Sequence, residues 1–231
     1  MKKLVKSVTG ALVLALSLAI AFSAAACSFG PKDYVSTEDS YFEFILNDEG
    51  TAYSVKAASV DNLPEAVYLP QEHGGKPVEA VADGGFEGSA IKEVYLPLNV
   101  KKVGKNAFAG CKNLSVLYFY KGQGLEVIGD GAFSGNVSLV DLVCPNTLKT
   151  VGKSAFWGCN KLERVKLPEK VETIGDYSFA YCTALTYFYV PTKTSEIGEN
   201  AFLGVSGVKF EVSSSNPYYG LLSDGKLVRV A

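Results

Sequence analysis

Few residues in this chain carry side chains suited to catalysis or metal binding. There is one histidine, His73, and there are five cysteines. A histidine can act as general base for a serine nucleophile, but no Gly-x-Ser-x-Gly elbow accompanies it. His73 also lies in an expected turn beside Gly74 and Gly75. Aspartates and glutamates are scattered, with no spacing that sets two carboxylates across a scissile bond. Zinc would need close ligand pairs such as Cys-x-x-Cys, or several histidines, and the sequence has neither. Gly122-Gln123-Gly124 and Gly129-Asp130-Gly131 lack the Lys-Ser/Thr ending of a phosphate loop. No catalytic residue, metal ligand or cofactor is therefore expected.

The cysteines point instead to the element that organises the chain. Cys111, Cys159 and Cys182 fall at one place in a repeated phrase. Residues 148–168 read LKTVGKSAFWGCNKLERVKLP, and residues 171–191 read VETIGDYSFAYCTALTYFYVP. The phrase can be read six times, with its phenylalanine at Phe86, Phe108, Phe133, Phe156, Phe179 and Phe202, at steps of 22, 25, 23, 23 and 23 residues. A period in the twenties marks a solenoid, in which each coil buries its apolar face against its neighbours. Gly104, Gly129, Gly152, Gly175 and Gly198 recur just before the phenylalanine, where a side chain would clash or φ is positive. The first repeat departs, with Val81-Ala82. The strands alternate: Leu162, Val165 and Leu167 inward, Arg164 and Lys166 outward; Leu185, Phe188 and Val190 inward, Tyr187 and Tyr189 outward. Prolines end most strands, and with the glycines they leave room only for short strands and one-turn 3₁₀ or α segments. Asn136 and Ser89 stand at the cysteine position in other repeats, which favours buried thiols. A disulfide between Cys159 and Cys182, in adjacent coils, stays open.

The pattern Ile-Gly-x-x-Ala-Phe-x-x-Cys-x-x-Leu-x-x-Val-x-Leu-Pro resembles the BspA-like leucine-rich repeats of bacterial surface proteins. Gly152, Ala155, Phe156, Cys159, Leu162, Val165, Leu167 and Pro168 match it position by position. The resemblance implies an α/β-type solenoid dominated by short strands, with about six coils over 78–212. The runs YFEFIL (41–46) and AYSVKA (52–57), split by Asn47-Asp48-Glu49-Gly50, read as a hairpin. Residues 41–77 are the expected N-terminal β cap, and AVYLP (66–70) already carries the strand-proline ending. In such proteins an Asn-Pro-Tyr-Tyr stretch with a later Asp-Gly turn commonly closes or interrupts the array. Residues 213–231 are accordingly expected to cap the other end.

The first 26 residues read as a secretory signal: Lys2, Lys3 and Lys6, an apolar run over 11–22, then Ala24-Ala25-Ala26 before Cys27. The run is shorter than a spanning helix needs. Ala24-Ala25-Ala26-Cys27 resembles a bacterial lipobox, with alanine in place of the more usual leucine. That implies a lipid on Cys27, worth ~0.8 kcal/mol per buried methylene. Residues 27–40 would then be a flexible tether, and the protein would sit lipid-anchored on the bacterial cell membrane, facing outward. Loss of 1–26 takes three lysines and moves the net charge from −2 to −5. A mildly acidic chain without a basic run argues against nucleic acid.

What remains is a surface. The outward strand positions give Tyr95, Tyr118, Tyr120, Arg164, Lys166, Tyr187 and Tyr189 as the expected ligand-binding set. Tyrosine is rigid and amphipathic, and solenoids use such faces for partners. The function expected is non-enzymatic binding of a protein or glycan, with adhesion implied by the resemblance. An envelope scaffold that pairs with a partner of the same cell is the alternative.

Overall fold

The computed structural model describes residues 35–230 apart from Lys121 and Gln123. Cys27, its signal segment and residues 28–34 lie outside the described residues. The chain winds as a β-solenoid of seven turns. One side is a parallel stack of Tyr53–Ala57, Lys76–Val81, Lys102–Val103, Val127–Ile128, Thr150–Val151, Thr173–Ile174 and Glu196–Ile197. The other side stacks Ala66–Tyr68, Glu93–Leu96, Val116–Phe119, Asp141–Val143, Arg164–Lys166, Tyr187–Val190 and Lys209–Val212. Six turns are the six sequence repeats. The seventh comes from the cap, where Tyr53–Ala57 and Ala66–Tyr68 pair with the first repeat without sharing its sequence. Helix is confined, among the described residues, to 3₁₀ turns at Asp39–Tyr41 and Val60–Asn62. The expected one-turn helical segments inside the repeats are plain turns.

The repeated residues form columns that run through the stack. Val103, Ile128, Val151, Ile174 and Ile197 are in direct parallel register. The glycine that follows them is required by close approach and not by positive φ. A Cβ on Gly152 would lie 2.6 Å from the carbonyl carbon of Gly129, and one on Gly175 would lie 2.6 Å from that of Gly152. From Gly129 to Gly198 each glycine is thus packed on the glycine of the preceding coil, and Gly104 is packed on Val81 and Asp83. Beside this column the phenylalanines stack face to face. Ring centroids from Phe86 to Phe179 are 5.1–5.4 Å apart with interplanar angles of 4–13°. Phe202 continues the column at 5.8 Å. From Phe86 to Phe179 each phenylalanine N–H also donates to the next coil, as in Phe133 to the Ala155 carbonyl at 2.8 Å.

The cysteine column adds a third thread. The thiols of Cys111, Cys159 and Cys182 donate to the carbonyls of Phe86, Phe133 and Phe156, one coil back, at 3.1–3.2 Å. The four described cysteines are free and buried. Asn136 takes the same place in the third repeat. Its side chain is fully buried, and neither amide atom finds a hydrogen-bond partner.

Both ends are closed. At the first, the antiparallel hairpin Phe42–Leu46/Tyr53–Ala57 sets the Phe42 ring edge-on to Phe86 at 6.3 Å. Thr37, in the segment expected as tether, exchanges two 2.9 Å hydrogen bonds with Tyr68 and so covers the edge of Ala66–Tyr68. At the other end Asn216 acts as a clamp. Its amide nitrogen donates to the Pro191 and Thr194 carbonyls at 2.7 and 3.0 Å. Its amide oxygen accepts from the N–H groups of Tyr218 and Tyr219. The Tyr219 hydroxyl then accepts the N–H of Ile197, in the last strand of its stack, at 2.8 Å. The closing hairpin is Tyr219–Leu221 with Leu227–Arg229. Leu222 lies in its turn, where its N–H donates to the Lys226 carbonyl.

Two substitutions in these columns have opposite expected signs. Gly175→Ala forces a Cβ into backbone that cannot yield, and should destabilise by about 3 kcal/mol or more. Asn136→Cys removes a buried unpaired amide and restores the thread, and should stabilise by about 1–3 kcal/mol. Urea unfolding of both variants beside the parent checks the pair. A Gly175→Ala midpoint equal to the parent's would refute the packing account.

Candidate functional site

The expected ligand-binding residues, Tyr120 apart, belong to the second stack. Parallel register sets like positions on top of one another, so a tyrosine column arises wherever successive coils carry tyrosine. Tyr68 pairs with Tyr95, and Tyr95 with Tyr118. The Tyr68 and Tyr95 rings stack at 4.2 Å and 5°, and Tyr118 follows at 5.5 Å, tilted by 42°. The Tyr95 hydroxyl donates to Glu93 at 2.8 Å. Burial within the column, and secondarily the Glu93 carboxylate, push its phenol well above the ordinary range. Tyr68 is missing from the expected set because it precedes the recognisable repeats.

Tyr120 is a correction. It was expected on the outward face, but it follows the end of Val116–Phe119 and is only 9% exposed. It stands where other coils place the strand-ending proline, and its ring meets Tyr118 edge-on at 5.1 Å. The column therefore consists of Tyr68, Tyr95 and Tyr118, with Tyr120 buttressing its end.

The next coils carry charge. Arg164 faces Asp141 in register and grips it with two guanidinium nitrogens, Nη2 to Oδ2 at 2.6 Å and Nε to Oδ1. This fork raises the guanidinium pKa further. Lys166 lies beyond it, exposed, with no ion-pair partner among the described residues. The last coils return to tyrosine. Tyr187 is 45% exposed and donates to Glu211 at 2.6 Å, which pushes its phenol up to about 12. Tyr189 sits in register with Glu211 and is half-buried. The seven expected residues thus do not converge on one point. They divide into an aromatic column, a charged step and a second tyrosine pair. The ladder of backbone hydrogen bonds divides at the same two places, into sheets of three, two and two strands.

Among the described residues no catalytic partner set gathers around His73. His73 lies on Glu72–His73 and stacks on Phe44 at 3.8 Å and 6°. Its Nδ1 meets Asp39 at 2.8 Å, so it fastens the entering chain to the cap. Among the described residues no three histidine, cysteine or acidic side chains gather to hold a metal.

Sequence reasoning also passed over the turn side of the later coils. Trp157 is 43% exposed and meets Tyr181 edge-on at 5.7 Å. Tyr177 and Tyr181 both have left-handed backbone, φ 56° and 60°. That conformation costs an L-residue about 1–2 kcal/mol. At the Tyr181 position the other five repeats all have glycine at positive φ: Gly88, Gly110, Gly135, Gly158 and Gly204. The aligned column was legible as a broken glycine run, had it been read by position.

Residues 79–209 match six copies of the BspA type leucine rich repeat region. The chain belongs to the BspA-type leucine-rich repeat family. No functionally curated protein matches it. Among solved structures, the leucine-rich repeat protein TpLRR of T. pallidum is 28% identical with a TM-score of 0.64, covering 71% of this chain and 82% of that one. The pneumococcal vaccine antigen PcpA is 23% identical with a TM-score of 0.70, covering 85% and 54%. A leucine-rich cell surface protein from Faecalibacterium prausnitzii A2-165 is 24% identical with a TM-score of 0.55, covering 84% and 60%. The last two likenesses bear on the fold, and the chain spans only 54% and 60% of their lengths.

The buried thiols give a pH dependence with a definite sign. Burial pushes Cys159 up to about 12 and raises Cys111, Cys144 and Cys182 as well. In the unfolded chain these thiols ionise near ~8.5. Above that pH the unfolded state binds fewer protons than the folded state, so stability falls as pH rises, until the folded thiols ionise in turn. The urea midpoint should drop steadily from pH 8 to pH 10.5. Alkylation of the native protein should stay slow over the same range, since neither access nor thiolate is supplied. Fast labelling of Cys159 at pH 8 would refute the burial of this column.

Proposed function

We propose that this chain is a non-enzymatic binding protein of the bacterial surface, held to the membrane by a lipid on Cys27. Its outward strand face takes a protein ligand. The in-register column Tyr68–Tyr95–Tyr118 carries this reading. Three half-buried rings, fixed by stacking and by the Glu93 hydrogen bond, present a rigid amphipathic strip that loses little entropy on binding. The Arg164–Asp141 fork, Lys166 and the Tyr187–Tyr189 pair extend the strip along the following coils and supply polar register points. A surface of this length suits a macromolecule better than a metabolite, and the acidic chain does not favour nucleic acid. The lipobox-like Ala24–Cys27 supports the tether, and membership of a family with a cell-surface relative supports the outward location. An envelope scaffold that docks a protein of the same cell uses the same face.

The test screens the lipid-free protein from Ser28 onward against host-matrix proteins and against an envelope extract of the source cell. Parent, Tyr95→Ala/Tyr118→Ala and Tyr187→Ala/Tyr189→Ala run side by side. The expected result is a ligand whose affinity drops about tenfold or more in the first double variant, the loss of two aromatic anchors. A matrix ligand supports adhesion, and an envelope ligand supports the scaffold. Binding indifferent to both variants would remove the strand face from consideration. Separately, radiolabelled palmitate should enter the parent and not Cys27→Ser when expressed with the leader. Equal incorporation would remove the tether.

A further inference from the structure

The turn side of the fourth to sixth repeats carries a feature that neither the repeat nor the strand face explains. Trp157, Tyr177, Tyr181 and Leu203 are each 38–44% exposed. At the Trp157 position the first three repeats have Glu87, Ala109 and Ser134. At the Tyr177 position the first four have Gly84, Asn106, Gly131 and Ser154, all at positive φ. Large aromatic side chains are thus confined to one stretch of this side, and two of them sit on strained backbone. The Tyr181 ring lies directly over Gly204, where a Cβ would come 2.6 Å from the ring, and stands edge-on to Trp157. The strained residue is therefore seated and oriented. At the Tyr181 position strain held at an exposed aromatic side chain marks function more readily than packing, since glycine serves the packing there in all five other repeats.

We propose that this patch binds a short neutral oligosaccharide, by stacking of sugar C–H faces on Trp157 and Tyr181. The size and the charge of the patch select this ligand. At these exposures the four side chains offer on the order of 300 Å², taking about 150–250 Å² for a fully covered aromatic side chain. A stable protein interface or dimer needs about 800 Å² per partner. None of the four side chains is charged. The charged residues that flank the patch in sequence, Lys153, Lys161, Asp176 and Glu199, are two of each sign, so no net field favours an ion. The neighbouring exposed column, Asn160, Thr183 and Ser206, is neutral and polar, and amide and hydroxyl groups complement sugar hydroxyls. An apolar centre with a neutral hydrogen-bonding margin is the complement of a pyranose, which has an apolar face and a hydroxylated rim.

Trp157 is the only tryptophan of the chain, so its fluorescence reports on this patch alone. The full chain, held in a sugar-free detergent, is titrated with neutral hexasaccharides of glucose, galactose, mannose and N-acetylglucosamine. The expected result is a saturable change in emission, with protection from acrylamide quenching, for at least one of them. Tyr181→Gly and Tyr177→Gly should each weaken that response about tenfold or more. Because glycine relieves the left-handed backbone, both should melt no lower than the parent, and Tyr177→Gly about 2–4 °C higher. Should Tyr181→Gly fail to fold, Tyr177→Gly and Leu203→Ser carry the same test. Tyr95→Ala/Tyr118→Ala, on the strand face, should leave the response unchanged, so this site and the strand-face reading stand or fall separately. The proposal is overturned if none of the four sugars gives a saturable response, or if the patch variants leave it intact. It is also overturned if phosphatidylcholine vesicles give the same emission change, or if sedimentation shows a dimer that Tyr181→Gly dissolves.

Discussion

Everything in this molecule depends on how closely one coil can approach the next. The glycine column sets that distance, because backbone rests on backbone from Gly104 to Gly198 and no Cβ fits between. Once the spacing is fixed, the rest follows without further design. Rings on successive coils must stack nearly parallel at just over 5 Å, as Phe86 to Phe179 do. A thiol must reach the carbonyl one coil back. Side chains on the outward strand positions must form columns of their own, which is how three tyrosines separated by more than twenty residues in sequence become one aromatic strip. Local contact only with neighbours makes such a stack additive, so each coil must satisfy itself against two others and the ends must be handled separately.

The ends show that coil geometry and repeat sequence are different things. The first coil has no glycine-phenylalanine-cysteine phrase, yet Tyr53–Ala57 and Ala66–Tyr68 lie in register with the coil that follows. Being terminal, it meets another coil on one side only, and a hairpin with an edge-on Phe42 closes the other. The opposite end exposes strand N–H groups and the last rings of the ladder. There a single asparagine and a tyrosine hydroxyl take over hydrogen bonds that a further coil would have made. The Asn-Pro-Tyr-Tyr phrase is thus a terminator for a stated reason: it satisfies an edge by side chains instead of by another strand.

The same physics explains what could be read from sequence. Columns that require one residue type recur at a fixed step, so the period and the glycine and phenylalanine ladders were legible. What escaped lay where residues do not recur. Tyr68 was invisible as a site because its coil lacks the phrase. Tyr120 was misplaced because alternation was carried one residue past the strand end, where the chain turns inward. The extra turn was hidden because the cap meets the backbone geometry with other residues. The left-handed tyrosines were overlooked because φ is not written in any one residue. It appears only when Tyr181 is aligned with five glycines.

Departures from a column are therefore the places where a repeat protein says something specific, and they are of two kinds. Asn136 departs inward: it is fully buried, touches no surface and leaves its amide unpaired. Such a change can alter only the stability of its own coil, and nothing outside the protein can read it. Tyr177 and Tyr181 depart outward, on a backbone that disfavours them, with rings that solvent reaches. Their strain falls on the fold, while any benefit must come from what the rings touch. Physical chemistry separates the two by one question, whether the group that bears the penalty faces the core or the solvent. By that criterion the binding proposed for this chain is assigned to the tyrosine column of the strand face and to the aromatic turn. The phenylalanine, glycine and cysteine ladders that define the family hold both in place.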